Sequence, residues 1–194
     1  TGNYSQTNPG TSGSISNNVI NAWRLGIFHN LWYSNASSID VSGNTINAVG
    51  YQGYAGKWNG ILLTSFGGAA NTTVVDNIIT IPDTLTFDET NYAAGYNVWN
   101  DTTTLPLIIS GGTVTGGDYG VFVNNWEGYS SDADNTAVTI DKVTIVDSNI
   151  AGVYVKDSPS NTNGATVYAN ITNNIIDTNA TSILVEGTDA TAVA

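Results

Sequence analysis

The chain has 194 residues and contains neither cysteine nor methionine, so disulfide bonds and thiol chemistry are excluded. Four Lys plus Arg stand against sixteen Asp plus Glu, for a formal net charge of -12. Such a surface repels phosphate backbones and anionic lipid, which argues against nucleic acid as a partner. No apolar run approaches the roughly 20 residues that span a bilayer, so membrane insertion is not expected.

In chain order, one pattern repeats six times. The first copy pairs Ile15 with Ile20 and follows them with Gly26-Ile27-Phe28-His29. The second pairs Val41 with Ile46 and resumes at Gly60-Ile61-Leu62-Leu63, and the third pairs Val74 with Ile79 and resumes at Gly95-Tyr96-Asn97-Val98. The fourth, fifth and sixth pair Ile109 with Val114, Ile140 with Ile145 and Ile171 with Ile176, and resume at Gly120, Gly152 and Ser182. A small residue leading into alternating aliphatics reads as the start of a short strand, and no helix-period stretch occurs. Period-two alternation upstream, as in Thr136, Val138, Ile140 and in Val167, Ala169, Ile171, supplies a further strand. The expectation is an all-β solenoid of about six rungs with three short strands per rung.

The residues between the first two strands of each rung explain the turn. Asn17-Asn18, Gly43-Asn44, Asp76-Asn77, Gly111-Gly112 and Asn173-Asn174 each offer a residue that enters the left-handed region cheaply. Stacked rung on rung, Asn18, Asn44 and Asn77 form an amide ladder of the kind identical polar side chains make in cross-β stacks, and Asn174 occupies the same position in the last rung. Lys142-Val143 breaks the pattern in the fifth. With Ile/Val-x-x-Asn-x-Ile followed by Gly-Ile/Val-x-Val, residues 13–187 resemble the single-stranded right-handed parallel β-helix proteins, the pectin-lyase-like group. Pectate lyases, polygalacturonases, phage tailspikes and large surface adhesins belong to it. The resemblance implies the fold and says little of chemistry, since one fold hosts many functions.

A polar segment, 1–12, precedes the helix and a small-residue tail, 188–194, follows it. Neither resembles a capping helix, so the chain reads as a segment of a larger secreted or cell-surface protein, or as a subunit whose open ends associate end to end in a filament. Six Asn-x-Ser/Thr triplets, at Asn3, Asn35, Asn71, Asn100, Asn170 and Asn179, read as glycosylation acceptors or as chance in a chain this rich in Asn, Ser and Thr.

Rungs two and three carry the long insertions, Asn47 to Asn59 and Thr80 to Ala94, which the stack places side by side. They hold Tyr51, Tyr54, Lys57 and Trp58 in one and Phe87, Asp88, Glu89 and Tyr92 in the other. Aromatic faces beside carboxylates and amides suit sugar rings, and scaffolded loops are where binding residues gather. The plain alternative is a satellite core that ties the loops down. Trp32, Tyr33, Phe66, Trp99, Trp126 and Tyr129 form a second aromatic stripe, and Phe28, Leu62, Phe122, Tyr154 and Leu184 take outward positions, as a covered ridge or a contact surface.

Catalytic candidates are few. Lyases of this fold need basic residues, and the chain has only Arg24, Lys57, Lys142 and Lys156. Asp88 and Glu89 could act as acid and base with Lys57 and Arg24 beside them, or stand as solvated loop charge. The polygalacturonase motifs are absent. His29 falls in an inward column with Leu63, Val98, Val123, Val155 and Val185, as a structural residue. Asp132, Asp134 and Asn135 alternate oxygen ligands that suit Ca²⁺, without the rest of an EF-hand loop. Thr45, Thr113 and Thr144 share a column interrupted by Val19, Ile78 and Ile175, so no regular threonine array for ice emerges. The reading is a rigid, non-catalytic extracellular module with no obligatory cofactor. It meets a polysaccharide or glycan through aromatic loops, and a polysaccharide lyase or glycoside hydrolase relative is the enzymatic alternative.

Overall fold

The structure is a computed structural model that describes residues 12–32, 37–49, 57–66, 70–82, 92–101, 107–124, 136–157, 166–177, 180–187 and 189–194. Rung one consists of β1 (Ser12–Ser16), β2 (Val19–Ala22) and β3 (Leu25–Trp32), and rung two of β4 (Ser37–Ser42), β5 (Thr45–Ala48) and β6 (Trp58–Phe66). Rung three is β7 (Ala70–Val75), β8 (Ile78–Ile81) and β9 (Ala93–Asp101), and rung four is β10 (Leu107–Ser110), β11 (Thr113–Gly116) and β12 (Tyr119–Asn124). Rung five is β13 (Thr136–Asp141), β14 (Thr144–Val146) and β15 (Ala151–Lys156), and rung six is β16 (Val167–Thr172), β17 (Ile175–Asp177) and β18 (Thr181–Glu186). A last strand, β19 (Ala190–Val193), follows.

Every third strand pairs in parallel, giving three sheets. Sheet A runs β1-β4-β7-β10-β13-β16-β19, sheet B β2-β5-β8-β11-β14-β17 and sheet C β3-β6-β9-β12-β15-β18. The all-β solenoid with three strands per turn is therefore as the repeat predicts. Register follows the aliphatic columns residue for residue: Ile15, Val41, Val74, Ile109, Ile140 and Ile171 align in sheet A. Ile20, Ile46, Ile79, Val114, Ile145 and Ile176 align in sheet B. Both columns are closed from solvent in the middle rungs, and each fully buried aliphatic side chain contributes about 1.5–3 kcal/mol. The tail is not wholly outside the stack. Ala190 pairs with Val167 and Ala192 with Ala169, and the two alanines pack against the core.

The corner between sheets A and B is two residues long in every rung, and its first residue is left-handed throughout. Asn17, Gly43, Asp76, Gly111, Lys142 and Asn173 have φ of 57°, 63°, 54°, 66°, 56° and 56°. The lysine of rung five thus breaks the sequence pattern but not the turn, because the pairing on both sides fixes the backbone. The amide ladder forms where asparagines are consecutive: Asn18 and Asn44 donate backbone N–H to Asn44 Oδ1 and Asn77 Oδ1, both at 3.1 Å. Their Nδ2 groups reach the same oxygens at 3.0 Å. Asn44 and Asn77 also donate from Nδ2 to Ile15 O at 2.7 Å and Val41 O at 2.9 Å. At Gly112 the ladder stops, since a Cβ there would run into the backbone of Asn77. It resumes where Val143 N–H donates to Asn174 Oδ1 at 2.8 Å.

Glycine leads the strands of sheet C for want of space. A Cβ on Gly60 would lie 2.6 Å from Gly95 O and 2.7 Å from Ile79 Cγ2, so sheet C passes against the aliphatic column of sheet B with no room for a side chain.

Candidate functional site

The candidate site lies at the corner between sheets B and C, with the outer face of sheet C beside it. In rung one the corner is Trp23-Arg24. Ala22 turns inward, and Trp23 then projects into solvent at 61 % exposure. Arg24 is exposed, and its carbonyl accepts the Asn59 N–H at 3.0 Å, which brings Arg24 and Lys57 to the same corner on adjacent rungs. Lys57 places its ammonium 5.0 Å from the centre of the Tyr92 ring, a cation–π contact between the ends of the two insertions.

Trp58, read as a ligand-binding ring of the rung-two insertion or as part of a satellite core that ties the loops down, is a core residue. It is fully closed from solvent as the first residue of β6. Its indole N–H donates to Ala22 O at 3.3 Å, and its backbone N–H donates to Tyr92 O at 2.8 Å. A ring held this way cannot stack on a ligand; it pins the insertion to the helix.

Tyr92 and Trp99 are half-buried. Tyr92 packs edge-on against Tyr119 and Phe122, with ring centres 5.6 Å and 5.1 Å away, and Phe122 stacks on Tyr154 at 4.9 Å. Phe122 and Tyr154 are almost entirely covered, so the predicted ridge is closed in rungs four and five and open at rung one, where Phe28 is 51 % exposed. Beside the rings runs a second amide series. Asn124 Nδ2 donates to Asn97 Oδ1 at 2.8 Å, and Asn97 Nδ2 donates to Asn59 Oδ1 at 3.1 Å and to the Tyr92 hydroxyl at 2.9 Å. Burial raises the Tyr92 hydroxyl above its ordinary range, and the Asn97 amide partly offsets the effect. At the far end the Tyr154 hydroxyl donates to Glu186, whose carboxyl is held low first by that bond and then by Lys156, 3.6 Å away.

Asp118 closes the corner in rung four. Its carboxylate accepts the Ala93 N–H at 2.8 Å, and burial raises its pKa against the lowering effect of its bonds to Ala93 and Asn149. His29 lies inward as its column predicts. Desolvation lowers its pKa to about 4, and Nε2 is 3.4 Å from Thr72 Oγ1. At neutral pH it is an uncharged structural side chain.

Tyr51, Tyr54, Phe87, Asp88, Glu89, Trp126, Asp132, Asp134 and Asn135 lie outside the described residues. Among the described residues no group of three or more His, Cys, Asp or Glu could hold a metal ion, and no helix is long and apolar enough to cross a membrane. Trp23, Tyr119, Asp118 and the Asn59-Asn97-Asn124 series escaped the sequence reading. Trp23 was findable, because it follows the last inward residue of β2 and so must turn outward. Comparison with family models, with curated proteins and with solved structures finds no match to this chain.

Proposed function

We propose that this chain is a rigid, non-catalytic β-helix module of a secreted or cell-surface protein. In this reading it meets glycans at the B–C corner of its first rungs. The observation that carries the reading is Trp23, a 61 % exposed indole beside Arg24 at the corner where the ends of the rung-two insertion pair with rung one. In rungs four and five of sheet C the chain has covered Phe122 and Tyr154, and exposed aromatic area persists where a partner covers it. An indole face packs on the C–H face of a sugar while guanidinium and amide groups bond to its hydroxyls. The columns beneath the corner run in register through the stack, so the platform is held by a core rather than by a hinge. The likeness of the repeat to surface adhesins of the right-handed parallel β-helix group agrees with this reading.

The test is a polysaccharide and glycan binding panel on the chain, with and without Ca²⁺, while released unsaturated and reducing ends are monitored. Binding without turnover that is lost in Trp23→Ala is the expected result. Since the indole is exposed, this variant should keep its melting temperature. Turnover of any bound polysaccharide would replace the reading with that of a lyase or hydrolase.

A further inference from the structure

The open surface of rung one is longer than the corner at which it begins. From the turn onward Trp23 and Arg24 are exposed, Leu25 and Gly26 half-buried, Ile27 buried and Phe28 exposed again at 51 %. Phe28 heads the outward column Phe28, Leu62, Asn97, Phe122, Tyr154, Leu184 of sheet C. It is the only exposed residue of that column; the other five are buried or half-buried. In rung two, Asn59 and Thr64 on either side of Leu62 are buried as well. The outer face of sheet C is therefore open along rung one and closed beside it, so that rung one is a ledge with an exposed aromatic ring toward each end.

The backbone under both rings is fixed by rung two. The Ala22 carbonyl, just before Trp23, accepts the Val49 N–H at 3.1 Å and the Trp58 indole N–H at 3.3 Å. The Arg24 carbonyl, just after it, accepts the Asn59 N–H at 3.0 Å. Phe28 lies in β3, paired in register with Leu62 of β6. From Leu25 to Phe28 the strand runs about 10 Å at ~3.3 Å per residue, and Trp23 stands two residues further back. A single sugar ring is too short to pack on both aromatics at once, whereas several linked sugars reach from one to the other.

We infer that the glycan taken at this corner is an extended segment of several sugars that lies along rung one, across the stack axis. One sugar packs on the Trp23 indole with the Arg24 guanidinium beside it, and a later one packs on the Phe28 ring. The inference rests on the glycan reading above and adds to it the size and direction of the ligand. Once the first sugar is held, the second contact is made within one chain, so it adds affinity without a further loss of translational freedom. Because paired strands already hold the backbone beneath both rings, little ordering is left for binding to impose. Phe28 has no polar atom in its side chain and adds affinity without choosing among sugars; choice falls to Arg24. A single sugar engages one ring and forgoes the other.

Titration calorimetry of the whole chain with cello-, manno-, xylo- and chito-oligosaccharides and with oligogalacturonates, each from the single sugar to the hexamer, tests it. In a series that binds, affinity is expected to climb about ten-fold between dimer and hexamer. Phe28→Ala should remove that gain and leave dimer binding unchanged. Phe28→Leu, which keeps apolar bulk but loses the flat ring face, should retain only part of it. Trp23→Ala should abolish binding at every length. Both rings are exposed, so the variants should keep the melting temperature of the wild type. Binding that does not depend on length, or a hexamer gain that survives Phe28→Ala, overturns the inference while the corner reading stands. Absence of binding in every series overturns both.

Discussion

The two corners that bound sheet B solve the same problem in different ways. Between sheets A and B, the chain turns in two residues in all six rungs, with a left-handed first residue and, where asparagines adjoin, one hydrogen-bond scheme. Between sheets B and C the connection varies from the two residues of rung one, 23–24, to the eleven of rung three, 82–92. There the chain is held by contacts particular to each rung: an indole in rung two, a buried carboxylate in rung four. A periodic corner is specified by local conformational preference, whereas a variable one is specified by whatever the neighbouring rung offers. The variable corner is where exposed Trp23 and Arg24 stand, so the regular corner serves the fold and the irregular one holds the site proposed for binding.

If that division is right, the largest effect should come from the anchor of the variable corner. Trp58→Ala empties a fully buried site and should cost about 3–5 kcal/mol, read as a lower midpoint in urea unfolding. The same substitution at Trp23, exposed by 61 %, should cost less than about 0.5 kcal/mol. Equal losses at both positions would erase the distinction between anchor and platform.

Next comes the regular corner. Asn77→Ala leaves the Asn44 backbone N–H and amide without their acceptor and the Val41 carbonyl without its donor, all in a closed interior. A buried polar group left unpaired costs about 1–3 kcal/mol, so a loss of at least ~2 kcal/mol is expected. Asn18→Ala, at the exposed end of the same ladder, should lose less, because water reaches the groups it leaves.

Much of this contrast was legible in the residues themselves. The aliphatic columns and the A–B turn could be read because both follow from local periodicity and from residues that tolerate positive φ. Trp58 was left between a binding ring and a satellite core because the reading let the insertion run to Asn59. The strand starts two residues earlier, at Trp58, with a ring whose depth is set by Ala22, a residue 36 positions away. The role of β19 was hidden for a similar reason. Alternating Ala and Thr residues look like a tail until Val167 and Ala169 are seen to pair with them. Asp118 sits among glycines and looks like any turn aspartate, and only the stack reveals that it faces the Ala93 N–H.

Asp118 also gives the variable corner a dependence on pH. Its pKa is raised by burial above the ordinary 3.8, so the folded protein binds this proton more tightly than the unfolded chain does. Its ionisation therefore costs nothing well below pH 3.8 and destabilises increasingly as pH rises through the folded pKa. Asp118→Asn keeps the oxygen that accepts the Ala93 N–H and removes the charge. The variant should match the wild type in acid and exceed its stability at neutral pH, as followed by melting temperature between about pH 3 and pH 7. A constant offset across that range would mean that the carboxylate is not strained by its burial.

The smallest expected effect tests whether backbone conformation alone sustains the regular corner. Lys142 adopts φ of 56° in a column otherwise filled by Asn, Gly and Asp. A left-handed residue with a Cβ costs about 1–2 kcal/mol, and the local compensation is weak. The lysine pairs with Asp141 at 3.5 Å from a position 70 % exposed, which is worth at most about 1 kcal/mol. Lys142→Gly removes the Cβ strain but increases the freedom of the unfolded chain, which returns about 0.4–1 kcal/mol. A net gain of about 0.5 kcal/mol is expected, visible as a small rise in unfolding midpoint at unchanged slope. A loss instead would show that the lysine is held by more than pairing of the strands on either side, and that rung five is specified by its own side chains after all.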